Sequence, residues 1–264
     1  MGLDIYAGTL TRYYAHNWKT AVQQWAEANG YDCTIMRPAA AEAEEEEKLS
    51  ADEIREVVET WRDDLLGALS QYSEEPYEPW PEDEEKPYFT DKPDWDAYNA
   101  LRLFAFHVLL DKPLPEKFPR RGACEDFISM SEEEKEKAEG LSLCGGAEWW
   151  LPLKEQFTFS ADTPAGNEAA FGTAGMLAAE LKYINDKVWQ AGEEEILKWN
   201  GTEGYKAEAL FTEKGEFAPV PKNEREGEDY DAEELESLAK FAFSIFYQAA
   251  KFSLENRVPV LMDY

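Results

Sequence analysis

The sequence predicts an α+β fold, helix-rich, with a small sheet that contains the N- and C-terminal strands. Three observations lead there. Leu3-Asp4-Ile5-Tyr6-Ala7 alternates apolar and polar residues with period two, and Val258-Pro259-Val260-Leu261-Met262 is a short apolar run of strand composition. Between them, long segments repeat their apolar residues with the 3.6 period of a helix. No internal repeat and no clean linker interrupts the pattern, so residues 1–264 read as a single globular domain.

Taken in order, the first strand runs into Gly8 and Thr9, and Leu10 to Tyr14 extends the same pattern. From Asn17, an N-cap type, Trp18, Ala21, Val22 and Trp25 recur at helical spacing until Asn29-Gly30 stops them. Tyr31 to Met36 reads as a second strand with Cys33 and Ile35 on one face, which makes a strand–helix–strand unit. Ser50 and Glu53 form a capping box, followed by a stripe of Ile54, Val57, Val58, Trp61, Leu65, Ala68 and Leu69. Residues 73–93 hold five prolines among acids and aromatics and are expected to be an irregular loop, pinned by Tyr77, Trp80, Tyr88 and Phe89.

Asp94 opens a helix through Leu110 that is apolar nearly all round from Leu103, so it belongs in the centre of the fold. Residues 111–130 read as loop, and Ser131 starts a short charged helix. Trp149-Trp150-Leu151 and Phe157-Thr158-Phe159 suggest one or two strands, on which period two sends one tryptophan into the core and leaves the other towards solvent. After Asp162-Thr163-Pro164 a helix carries Leu177, Leu181, Ile184 and Val188 and ends near Gly192. Glu193 to Trp199 adds a short helix closed by Asn200-Gly201, and residues 202–230 read as loop. Asp231 caps a last long helix with Leu235, Leu238, Ala242, Ile245, Ala249 and Phe252 in period; it is uncharged between Lys240 and Lys251 and should be buried. The closing strand is expected to pair near the first.

The formal net charge of −30 is unevenly placed. Residues 42–47, 74–85, 132–139, 193–195 and 224–236 carry 28 of the 56 acidic residues, offset only by Lys135, Lys137 and Arg225. The rest is an ordinary globular mixture, and 44% hydrophobic with 14% aromatic content is enough to build a core. Acidity of this size opposes binding to nucleic acid and to anionic membrane surfaces, whose affinity comes from Lys and Arg. It attracts a basic protein or a cation, and it also confers solubility. The most apolar stretch, Ala97 to Leu110, is too short to cross a bilayer, and no secretory leader or myristoylation pattern opens the chain. Three cysteines, Cys33, Cys124 and Cys144, without CxxC spacing fit a reducing compartment, so the cytoplasm is expected.

The most site-like segment is Thr11 to Trp18, where Arg12, His16 and Trp18 fall between a strand end and a helix start, a common place for ligands. The same rings can equally fill a core while Asn17 only caps a helix. Arg102 and His107 lie in an otherwise self-burying helix. A buried Arg102 demands a carboxylate or a ligand, and His107 is either a base or a hydrogen-bonded core residue. Cys144-Gly145-Gly146 offers little as a nucleophile, with only two histidines in the chain and an acidic field that raises a thiol pKa.

No GxSxG, HExxH, GxxxxGK[ST] or GxGxxG is present, and Gly166, Gly172 and Gly175 match no phosphate-binding spacing. No cofactor is implied, and the scattered Cys and His residues imply no metal site. Carboxylate pairs beside Trp149 and Trp150, as glycoside hydrolysis uses, arise by chance among so many acids.

These observations favour a non-catalytic acidic binding protein, of inhibitor or immunity type, acting on a basic protein partner. The alternative is an enzyme or small-ligand binder with a pocket near Arg12, His16 and Trp18. Nucleic-acid mimicry ranks last, because Pro and Gly break the acidic runs.

Overall fold

The computed structural model describes residues 2–31, 49–114, 116–119, 130–204 and 229–264. Among them run strands β1 (Asp4–Ala7), β2 (Phe89–Asp91), β3 (Lys117–Pro119), β4 (Trp149–Leu151), β5 (Phe159–Asp162), β6 (Glu168–Thr173), β7 (Asp229–Asp231) and β8 (Val260–Asp263). The helices are α1 (Leu10–Tyr14), α2 (Ala21–Ala28), α3 (Ala51–Leu69), α4 (Trp95–Leu109), α5 (Glu132–Glu139), α6 (Ala174–Lys187), α7 (Glu193–Thr202) and α8 (Ala232–Asn256). The fold is α+β. Six strands form one mixed sheet in the order β2-β1-β8-β4-β6-β5, in which only β4 and β6 are parallel. The N- and C-terminal strands are neighbours, second and third in this order, with Ile5 opposite Met262 and Tyr6 opposite Leu261. β3 and β7 make a separate two-stranded ladder.

Strand alternation sends side chains to both faces, and both faces are covered. Ile5, Ala7, Val260, Met262 and Trp150 pack with α4, α6 and α8. Tyr6, Leu261, Trp149, Leu151 and Phe171 pack with α1, α3 and Trp80 of the proline-rich loop. Trp149 and Trp150 are therefore both buried, and the expectation of a solvent-facing tryptophan is corrected. A second covering layer leaves neither face of β4 wet.

The same layer explains the corrections around it. β2, which pairs with β1, lies inside the segment expected to be irregular, and Trp80 and Glu82 of that segment are buried. On α3 the buried positions are Val58, Arg62 and Leu66, while Val57 is exposed, so the face is rotated from the stripe read in the sequence. It rotates because Arg62 reaches under the loop to donate to the Trp80 carbonyl, 2.5 Å away.

Leu10–Tyr14 is helix, not strand, and α2 is capped by Thr20 through a capping box with Gln23, not by Asn17. α2 ends as expected at Asn29-Gly30: Gly30 adopts φ 75°, and the Gly30 and Tyr31 N–H groups return to Glu27 and Ala26. The strand read over Tyr31–Met36 lies outside the described residues beyond Tyr31, as do Cys33, Cys124 and most of residues 202–230. A strand the sequence did not reveal, β6, precedes α6. It folds back on β5 through a turn at Thr163–Asn167. The capping boxes at Ser50, Ser131 and Asp231 are formed.

Candidate functional site

The Thr11–Trp18 neighbourhood is built from three separate stretches of chain. β1 delivers Tyr6, whose hydroxyl donates to the Thr9 carbonyl at 3.0 Å and rests against Gly8. A Cβ at Gly8 would stand 2.3 Å from that hydroxyl, so only glycine fits beside it. α1 follows, and its Thr11 N–H donates to Oε2 of Glu82 at 2.8 Å. Oε1 of Glu82 accepts from the Trp80 indole at 2.9 Å. A carboxylate from the acidic loop thus caps a one-turn helix that has no side-chain cap of its own. Burial pushes the Glu82 carboxyl above its ordinary pKa, and the two N–H donors act the other way.

Of the three residues the sequence singled out here, Arg12 and Trp18 share one aromatic cluster. The Tyr6 ring lies 4.8 Å from Trp18, 5.5 Å from Tyr13 and 5.9 Å from Tyr88. The Arg12 guanidinium lies over Tyr88 at 5.0 Å and donates from Nη1 to the Lys86 carbonyl at 2.6 Å, while its Nε is buried with no acceptor. The Tyr13 hydroxyl donates to Asp263 at 2.6 Å, and burial together with that bond raises its pKa. His16 is exposed, with a left-handed φ of 52° at the end of α1. The rings fill the space between them.

Arg102 and His107 lie on α4, in the layer beyond the opposite face of the sheet. Among the described residues Arg102 donates to two carbonyls, Leu143 O at 2.9 Å from Nε and Cys144 O at 3.2 Å from Nη2. Its guanidinium also stacks between the Tyr98 and Phe106 rings, 5.8 Å from each centroid. His107 Nδ1 donates to the Pro113 carbonyl. Burial lowers the imidazole pKa; the Pro113 bond opposes that shift and the Lys112 charge adds to it.

Sequence reasoning passed over the most buried carboxylate on this side. Glu180 of α6 is 3% exposed and accepts from Ser142 N at 2.6 Å, Ser142 Oγ at 2.8 Å and Leu143 N at 3.0 Å. Burial lifts its pKa to about 7 against the pull of those donors. It clamps the turn whose carbonyls seat Arg102. The signal was there: Glu180 stands three residues after Leu177, on the apolar stripe itself.

Gly172 of β6 and Gly175 of α6 serve close packing, whereas Gly166 takes a left-handed φ of 81° in the turn before β6. A Cβ on Gly175 would fall 2.1 Å from the Lys154 carbonyl, and the Gly175 N–H donates to Leu153 O. The Met176 N–H goes to Thr173 Oγ1, so the start of this helix is capped by its own chain. The open cavities among the described residues include two of similar size. One, of about 300 Å³, is lined by Leu141, Gly145, Ala147, Thr158, Ser160 and Ala170. The other, of about 310 Å³, is lined by Ala178, Tyr247, Ala250, Lys251, Leu254 and Glu255. Arg12, His16, Trp18, Arg102 and His107 line neither.

Among the described residues no three His, Cys, Asp or Glu side chains are grouped to hold a metal ion, and no helix is long and apolar enough to cross a membrane. Of the acids in the described parts of the five runs, Glu82 alone is buried. Comparison of the chain with protein-family models, with curated proteins and with solved structures finds no match.

Proposed function

We propose that this chain is a non-catalytic acidic binding protein of the cytoplasm, of inhibitor or immunity type, that recognises a basic protein. The observation that carries the reading is the placement of charge: the acids of the described runs are exposed or half-buried, and Glu82 alone is buried. Exposed carboxylates of one sign steer a partner of the other sign and select against acidic ones. His107, read as a base or a hydrogen-bonded core residue, donates to the Pro113 carbonyl, and Arg102 donates to the Leu143 and Cys144 carbonyls.

Capture on the immobilised chain at low and at moderate salt tests the reading. The expected result is a basic protein retained at low salt and released as screening rises. The absence of any salt-sensitive basic partner counts against it.

A second reading, a small-ligand site at Arg12 and Trp18, is supported by one observation, the buried Arg12 Nε that takes no acceptor. Thermal shift with small carboxylates and phosphates, on the wild type and on Arg12→Gln, separates the two. A shift that disappears in the variant supports this second reading.

A further inference from the structure

Helix α8 lines the core and, on an adjoining face, an open groove. Leu235, Leu238, Ala242, Ile245 and Ala249 are buried between α4, α6 and the sheet. A second set, Tyr247, Ala250, Lys251, Leu254 and Glu255, follows the i, i+3, i+4, i+7, i+8 spacing of one helix face; Ala250 is buried, Tyr247 and Leu254 are half-buried, and Lys251 and Glu255 are exposed. With Ala178 of α6 it lines the open groove of about 310 Å³. Two alanines make a low floor, and Tyr247 and Leu254 stand beside it as apolar walls.

The rim of the groove is acidic. Lys251 Nζ is paired with Glu193, the first residue of α7, and lies 4.0 Å from Glu255. Its charge is thus shared between two carboxylates, and Glu194 and Glu195 follow Glu193 on the exposed first turn of α7. The result is an apolar trough with a negative border.

We infer that this groove is the docking surface for an amphipathic cationic helix of the partner. The inference rests on the acidic-binder reading and assigns it a surface. A helix laid in a groove inserts apolar side chains spaced one and two turns apart and turns its polar face to the rim. Here that polar face meets Glu193 and Glu255, with Glu194 and Glu195 next in the chain after Glu193, so Lys and Arg complement it. A second copy of this chain, itself at −30, would bring like charge to the same border.

The test uses the full chain and a fluorescein-labelled amphipathic helical peptide of Leu, Ala and Lys, read by anisotropy at low and moderate salt. Three variants are compared: Ala178→Glu in the floor, Glu194→Lys with Glu255→Lys at the rim, and Glu132→Lys with Glu133→Lys on α5 as an equal charge change elsewhere. Ala178 is half-exposed, and circular dichroism melting verifies that each variant folds. The expected result is a loss of about tenfold in affinity for the floor and rim variants and a change of no more than about twofold for the α5 control. Ala178→Glu adds negative charge, so weaker binding in it cannot come from charge alone.

Binding unchanged or tightened in Ala178→Glu, with rim and α5 changes acting alike, overturns the groove and leaves the acidic-binder reading standing. A peptide that fails to bind at low salt also overturns the groove, and the wider reading is then decided by the capture experiment. A dimer in sedimentation equilibrium that Ala178→Glu dissociates overturns it in favour of a second copy.

Discussion

On one face of the sheet three helices bring Leu101, Leu177 and Phe246 against Ile5 and Trp150; on the other, two helices and a proline-rich loop bring Trp80 and Tyr88 towards Tyr6 and Trp149. The first face is closed by regular helices whose apolar side chains recur in period, and burial of area does the stabilising. The second is closed by rings and by long-range polar bonds: Arg62 to Trp80 O, Glu82 to Thr11 N–H, Arg12 to Lys86 O, and Arg257 to the Glu78 and Pro79 carbonyls. Each side also buries one carboxylate, Glu180 on the first and Glu82 on the second. A loop without internal periodicity can cover a sheet only if such bonds hold its backbone in place.

The largest expected effect breaks the helical face. Phe246 is fully buried between Tyr98 and Trp150, so Phe246→Ala should cost about 3–5 kcal/mol in chemical denaturation. The next effect concerns the two carboxylates. Glu180 has a folded-state pKa of about 7, above its unfolded value, so the stability it lends is complete below the unfolded pKa and is lost as pH rises towards neutrality. Denaturation between about pH 4.5 and 7 should show a decline on the order of 3 kcal/mol from this group, and Glu180→Gln should flatten it. An unchanged slope in the variant would remove Glu180 as its source.

Glu82→Ala sharpens the contrast from the other side. It strands the Thr11 and Trp80 N–H groups, at about 1–3 kcal/mol. The loss should appear first as faster amide exchange in α1 and residues 77–89, with α4 and α8 still protected. Uniform loss of protection would mean that the two faces unfold as one. The smallest effect is local: Thr20→Ala removes the cap of α2 and should cost about 1 kcal/mol in thermal melting.

What the sequence revealed follows the same division. The starts of α3 and α8, the interior position of α4 and the pairing of β1 with β8 were legible, because Ser50-Glu53, Asp231 and the apolar periods are local signals. β6 was not legible. Its Ala169, Ala170 and Gly172 have little strand propensity, and Gly172 is there because a Cβ would crowd Trp150 and Ser142. α1 was misread because its cap, Glu82, lies 71 residues away. Arg12, His16 and Trp18 marked one stretch of the candidate site, but its central rings and its carboxylate come from β1 and the loop. Glu180 was visible as a charged residue on an apolar stripe and was missed for want of a partner to name.

The pairing of β1 with β8 also sets the timing of assembly. Asp4–Ala7 and the strand that flanks them on the inner side, Val260–Asp263, lie far apart along the chain. Closing so long a loop carries an entropic cost and slows folding. Until that loop closes, β1 keeps one edge open beside β2, and Val260–Asp263 must dock there before β4 can join the sheet.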